Sequence, residues 1–162
     1  MTSKDRTGNL ARGGIIAGLY LLLTLVSNSM GLASGMVQFR ISEALCVLPV
    51  FTEAAVPGLF AGCLIANLLV GCAPWDIVCG SFATLFGAVL TRKLRNRKKL
   101  CLLPPVILNT LVIPPVLSAV YGMKEAWWIL AASVFAGEFV SCYLLGGVLG
   151  KITAKHREQL KL

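Results

Sequence analysis

Long apolar runs alternate with short polar clusters along this chain. The apolar segments fall at about 10–30, 43–72, 76–91, 101–121 and 127–150. Runs of this kind match membrane-crossing helices, because about 20 apolar residues at about 1.5 Å rise cover the hydrocarbon layer. The second run stands apart. It is the longest, and Pro49, Glu53, Pro57 and Gly58 interrupt it.

Charge decides how that run divides. Basic residues gather at Lys4, Arg6 and Arg12, then between Arg92 and Lys99, then from Lys151 to Lys161. Cytoplasmic loops of membrane proteins carry the excess of Lys and Arg, so all three clusters belong inside. An even number of crossings must then separate them. Splitting the second run in two satisfies this and predicts six transmembrane helices with both termini cytoplasmic. The split also predicts a short second helix, roughly 43–52. At about 1.5 Å per residue it covers only half the hydrocarbon thickness. Such a broken element is tolerated where it is buried in protein or lines a cavity. Arg40 and Lys124 fall on the outer side. Lys124 sits beside Glu125 and reads as a solvated loop charge.

Composition agrees with this division. Hydrophobic residues make up 57% and charged residues 14%, where a soluble domain carries roughly a quarter charged. The fold class is therefore an all-α integral membrane protein, and residues 1–162 form a single transmembrane domain. Lys4, Arg6 and Arg12 followed by an apolar run imitate a signal peptide. No small-x-small cleavage site leads into a hydrophilic mature chain, so the run is read as the first transmembrane helix. The net charge is +8. It lies in blocks between apolar runs with no interleaved aromatics, so no nucleic-acid partner is expected.

Chemistry is sparse. None of the six cysteines forms a CxxC pair, and the single histidine, His156, lies in the polar tail. The cysteines read as small packing residues, and neither metal nor cofactor is expected. There is no GxxxxGK[ST] phosphate loop, no Ser-His-Asp set and no HExxH. The chain is not expected to be an enzyme.

Polar groups collect at two depths. Gln38, Arg40, Ser42 and Glu43 stand at the outer mouth, Asp76 begins the fourth helix beside Trp75, and Trp127 and Trp128 begin the sixth. Asn67, Asn109 and Glu138 fall near mid-membrane. A carboxylate there costs a few kcal/mol and must face protein or water. Its own helix offers only Val134, Phe135, Cys142 and Leu145 at helical spacing. The partner must be Asn67, Asn109, Arg40 or a ligand, and a purely structural bond between helices is one reading. The outer stretch also has two readings: a loop with Ser42 as helix cap and Arg40 paired to Glu43, or the lip of a pocket. The tryptophans read either as an interfacial belt or as a stack for a flat ligand. Small-x3-small spacing recurs at Gly13–Ala17, Gly14–Gly18, Gly58–Gly62 and Gly146–Gly150, where helix backbones can approach closely.

Taken together, Gln38-Phe39-Arg40-Ile41-Ser42-Glu43-Ala44, Leu48-Pro49, the stretch from Val56-Pro57-Gly58 to Ala66-Asn67, Asp76 to Leu85, Pro104-Pro105-Val106-Ile107-Leu108-Asn109 and Gly137-Glu138 closely resemble the QueT family. The resemblance implies a six-helix substrate-binding subunit, or S component, of an energy-coupling-factor transporter in a prokaryotic plasma membrane. It implies a transmembrane T component and two cytosolic ATPases as partners. Gly13, Gly14, Ala17 and Gly18 occupy the place of the small-residue face that meets the T component in related subunits. The implied ligand is a 7-deazaguanine: 7-aminomethyl-7-deazaguanine, queuine or queuosine. For such a ligand Glu138 or Glu43 accepts the base edge, Asn67 and Asn109 fix the ring, and Arg40 orders the mouth. Gln38, Asp76 and Trp128 complete the candidate site. A ligand aminomethyl cation would want a second carboxylate. Two other readings stay open on the residues alone: a stand-alone carrier coupled to protons through Glu138, and a membrane scaffold that transports nothing.

Overall fold

The structure, a computed structural model, describes residues 3–32, 39–97 and 100–156. Its regular elements there are all helical. Helix α1 (Ser3–Ser29) leads to a 3-10 helix (Ile41–Val50), then α2 (Ala55–Val70), α3 (Pro74–Lys93) and α4 (Leu103–Tyr121). The last rod is α5 (Trp127–Glu138), a π-helical segment (Phe139–Leu145) and α6 (Gly146–Lys155) in unbroken succession. Six rods result, as the charge pattern requires. Four are long and apolar enough to cross a membrane: Arg6–Ser29, Pro74–Lys93, Leu103–Tyr121 and Trp127–Lys155.

The expected short second helix is real, and its geometry answers part of its shortness. It winds as a 3-10 helix over ten residues. At about 2.0 Å rise it extends roughly 20 Å, where the same residues in an α-helix would reach only about 15 Å. Eight consecutive residues, Ser42 to Pro49, are buried. The helix packs against α1, α2, α3, α6 and the π segment. It is therefore the central post of the bundle, buried on every side, which is why its sequence is apolar all round apart from Ser42 and Glu43.

Glycines let the neighbours come this close. A Cβ on Gly150 would stand 2.8 Å from Val47 Cγ2, and one on Gly146 would stand 3.2 Å from the Ala44 carbonyl oxygen. The small face at 146 and 150 thus seats the 3-10 helix. The face at Gly58 and Gly62 seats α1. A Cβ there would meet the Gly13 carbonyl oxygen at 2.7 Å and the Ala17 carbonyl oxygen at 2.9 Å.

The ends of the rods are tied in the order that alternating crossings demand. At one end Tyr121, the last residue of α4, donates to Asp76 Oδ2 at 3.0 Å and accepts from the Ala73 amide at 3.1 Å. At the other, Arg92 in the last turn of α3 reaches back to the end of the 3-10 helix. Its guanidinium donates to the Pro49 carbonyl at 3.1 Å and pairs with Glu53 at 2.8 Å.

The outside of the bundle is oily and the inside carries the polar groups. Leu22, Leu69, Phe86, Leu111, Leu144 and Val148 stand exposed, while Ser42, Glu43, Asn67, Asn109 and Glu138 are buried. A soluble fold has the opposite arrangement. In a bilayer it is the stable one, because lipid covers apolar surface and the interior satisfies polar groups.

Candidate functional site

One face of α1 carries Tyr20, Thr24 and Ser27, four and then three residues apart, all buried. Helical spacing puts them in one stripe. That stripe reads along the start of the 3-10 helix. Tyr20 Oη donates to Glu43 Oε1, Thr24 Oγ1 donates to Ser42 Oγ at 2.8 Å, and Ser27 Oγ accepts from the Ile41 amide at 3.0 Å. Ser42 therefore does not cap its own helix; it is held by α1. Glu43 is engaged at both oxygens, because Cys46 Sγ donates to Oε2 at 3.1 Å.

Arg40 does not pair with Glu43 through a hydrogen bond. Its Nη1 donates to Asn67 Oδ1 at 3.0 Å, and Asn67 Nδ2 turns to Cys63 Sγ at 3.5 Å. Across the bundle Asn109 Nδ2 donates to Glu138 Oε1 at 2.9 Å. The two asparagines thus divide the two charged residues between them. Glu138 sits where α5 passes into the π segment, and insertions of this kind in an α-helix re-aim side chains at functional sites.

These groups converge on one cavity. Arg40, Glu43, Thr84, Asn109 and Glu138 line it, with Gly80 and Cys63 supplying small walls. Its volume is about 10 Å³, room for a single water-sized molecule. A bicyclic ligand requires the surrounding side chains to move apart.

Three polar atoms in and beside the cavity find no hydrogen-bond partner among the described residues: Glu138 Oε2, Arg40 Nε and Asp76 Oδ1. Glu138 is only 6% exposed and Asp76 only 2%. Buried polar atoms left alone cost free energy. The hydroxyls of Ser81, Thr91 and Ser141 are also unpartnered among the described residues, but the three atoms that belong to charged side chains all lie in or beside this cavity. Asp76 does not line the cavity but neighbours Gly80, which does. The Cβ position of Gly80 lies 3.5 Å from Asn67 Nδ2 and 3.8 Å from Asp76 Oδ1.

The candidate residues read from the sequence thus separate. Arg40, Glu43, Asn109 and Glu138 line the cavity; Asn67 and Asp76 stand behind its wall. Trp128 is 69% exposed and does not line it, which fits the interfacial belt rather than a stacking platform. Gln38 lies outside the described residues. On α1, Gly13 and Ala17 are taken up against α2, whereas Gly14 and Gly18 face open space. Sequence reasoning missed Tyr20, Thr24 and Ser27, although their helical spacing in an apolar run was a readable signal. It also counted Arg92 as a topology charge and missed its grip on the 3-10 helix.

Helices with an apolar outer surface around a cavity lined by charged and polar side chains define a multi-pass membrane protein that binds a small polar ligand or holds a polar core. A family model described as QueT transporter matches residues 10–155. The chain belongs to the QueT transporter family, a family of transporters and not of enzymes. It is similar to a queuosine precursor transporter QueT from Lactococcus lactis subsp. cremoris (strain MG1363), with 31% identity over 83 residues. That alignment covers 51% of this chain and 48% of the relative, so the match spans about half the length of each. No solved structure matches the chain.

Proposed function

We propose that the chain is the substrate-binding membrane subunit of an ATP-driven importer, and that it captures a queuosine precursor or salvage base of the 7-deazaguanine class at the cell membrane. Family membership and the similarity to a queuosine precursor transporter support the ligand class. The observation that carries the reading is the state of Glu138. One of its oxygens is fixed by Asn109, and the other is buried and unpartnered. A guanine-like edge presents adjacent N–H donors beside a carbonyl, and an oriented carboxylate accepts such donors while a guanidinium serves the carbonyl. Arg40 Nε supplies that donor.

The energy comes from elsewhere. The sequence has no phosphate loop, so ATP is hydrolysed on partner ATPases coupled through a transmembrane T component. Gly14 and Gly18, open on α1, offer that component a surface for close helix approach. Titration of the purified chain with 7-aminomethyl-7-deazaguanine and queuine, against guanine and riboflavin, tests ligand binding. Uptake in cells with and without the ATPases tests the coupling. Uptake that persists without the ATPases and collapses with the proton gradient would instead favour a stand-alone carrier working through Glu138. A folded chain that binds none of these bases would overturn the reading.

A further inference from the structure

The candidate site holds three carboxyl groups against one cation. They are in different states. Glu43 is engaged at both oxygens by Tyr20 and Cys46, so it is a positioning group that anchors the 3-10 helix to α1. Glu138 and Asp76 each keep one oxygen engaged, by Asn109 and Tyr121 respectively, and one oxygen buried without a partner among the described residues. They are held in the same way: a neutral donor on a neighbouring rod fixes one oxygen, and the other is left as an acceptor.

They also stand in different places. Glu138 lines the cavity directly. Asp76 lies in the first turn of α3, one turn before Gly80, which lines the cavity. Because residue 80 has no side chain, only backbone separates Asp76 Oδ1 from this wall on that side: a Cβ there would stand 3.8 Å from that oxygen. A ligand reaching both carboxyl groups needs N–H donors at two separated positions. Arg40 in the same site disfavours a simple dication but leaves the carboxyl groups in excess.

Resting on the ligand class proposed above, we propose that Glu138 reads the guanine-like edge while Asp76 reads a protonated amine on the base's 7-substituent, so that the site selects amine-bearing 7-deazaguanines over neutral ones. A buried ammonium requires a carboxylate partner, and Asp76 is the unsatisfied carboxyl group left once Glu138 takes the base edge. A nitrile substituent donates no hydrogen bond and leaves Asp76 Oδ1 unpaired.

Calorimetric titration of the full chain in detergent with 7-aminomethyl-7-deazaguanine, 7-cyano-7-deazaguanine and guanine tests this. The amine is expected to bind about tenfold to a hundredfold more tightly than the nitrile, the range for a charge-assisted hydrogen bond. Asp76→Asn should bring that ratio close to one with the nitrile's affinity unchanged. Glu138→Gln should weaken both ligands alike. Tyr121→Phe removes the donor to Asp76 but keeps the acceptor, so the preference for the amine should survive it, which a merely structural Asp76 would not predict. Should Asp76→Asn fail to fold, Gly80→Ala replaces it. The new methyl makes only ordinary contacts, at 3.5 and 3.8 Å, and should cost the amine more affinity than the nitrile. Equal affinities for amine and nitrile in the unaltered chain, or a ratio untouched by both variants, would overturn the selection while leaving a deazaguanine-binding subunit in place. No binding of any deazaguanine would overturn the ligand class itself and the selection with it.

Discussion

Asn109 Nδ2 donates to Glu138 Oε1 at 2.9 Å across the bundle, and the second oxygen of the same carboxyl group is buried with no partner among the described residues. The first half of this relationship fixes the side chain. The second half leaves an acceptor for something else. A carboxyl group that served only to hold α4 to α5 would gain from closing both bonds.

Glu138→Gln tests the division. The Gln oxygen still accepts from Asn109, while its amide nitrogen replaces the free acceptor with a donor. Thermal unfolding should change little. Affinity for a deazaguanine should fall by about tenfold or more, the effect of losing a charge-assisted bond. An unfolding midpoint that drops sharply with no change in affinity would assign Glu138 to packing.

Tyr20→Phe removes the donor to Glu43 and leaves that buried oxygen alone. The expected cost is about 1–3 kcal/mol of stability, the usual penalty for stranding a buried polar group. Because the two residues touch, the double variant Tyr20→Phe, Glu43→Leu should be less destabilised than the sum of the two single changes. Strict additivity in unfolding would mean that the contact contributes nothing.

The glycines of α2 predict a sharp asymmetry with those of α1. Gly62→Ala drives a methyl to 2.9 Å from the Ala17 carbonyl oxygen; overpacking of this sort costs about 1–3 kcal/mol. A Cβ on Gly14 or Gly18 meets nothing within 4 Å, so Gly14→Leu and Gly18→Leu should leave unfolding of the isolated chain unchanged. Under the proposed function they should instead weaken co-purification with the T component. Loss of stability in either α1 variant would contradict the packing described.

Arg92 separates two kinds of contact. Its partner Glu53 has a side chain 73% exposed, and an ion pair so open to solvent contributes at most about 1 kcal/mol. Glu53→Gln should therefore be nearly silent. Arg92→Ala also strands the Pro49 carbonyl at the end of the 3-10 helix and should cost more. Equal unfolding shifts in the two variants would place the whole effect in the ion pair.

Much of this architecture is legible in the sequence, for physical reasons that act locally. Span length follows from hydrocarbon thickness, and the basic blocks at Lys4–Arg12, Arg92–Lys99 and Lys151–Lys161 enforce an even number of crossings between them. The interrupted run around Pro49 and Pro57 had to break. Glu138 had to find a partner, because carboxylates in lipid do not stand alone. The spacings Gly58–Gly62 and Gly146–Gly150 announced close helix contacts.

Tertiary structure alone decided which groups meet. Asn67 and Asn109 lie at similar depth in similar apolar helices, and nothing local assigns the first to Arg40 and the second to Glu138. Those pairs are separated by 27 and 29 residues. Periodicity tells which residues share a face of one rod; it does not tell which rod that face meets. Gly13-x3-Ala17 and Gly14-x3-Gly18 are the same pattern one residue apart, a rotation of about 100° on the helix. Only packing against Gly58 and Gly62 turned the first inward and left the second open. The 3-10 winding of Ile41–Val50 is decided in the same way. Tyr20, Thr24 and Ser27 hold one end and Arg92 the other, and the tighter winding extends about 20 Å between them where an α-helix of ten residues would extend about 15 Å.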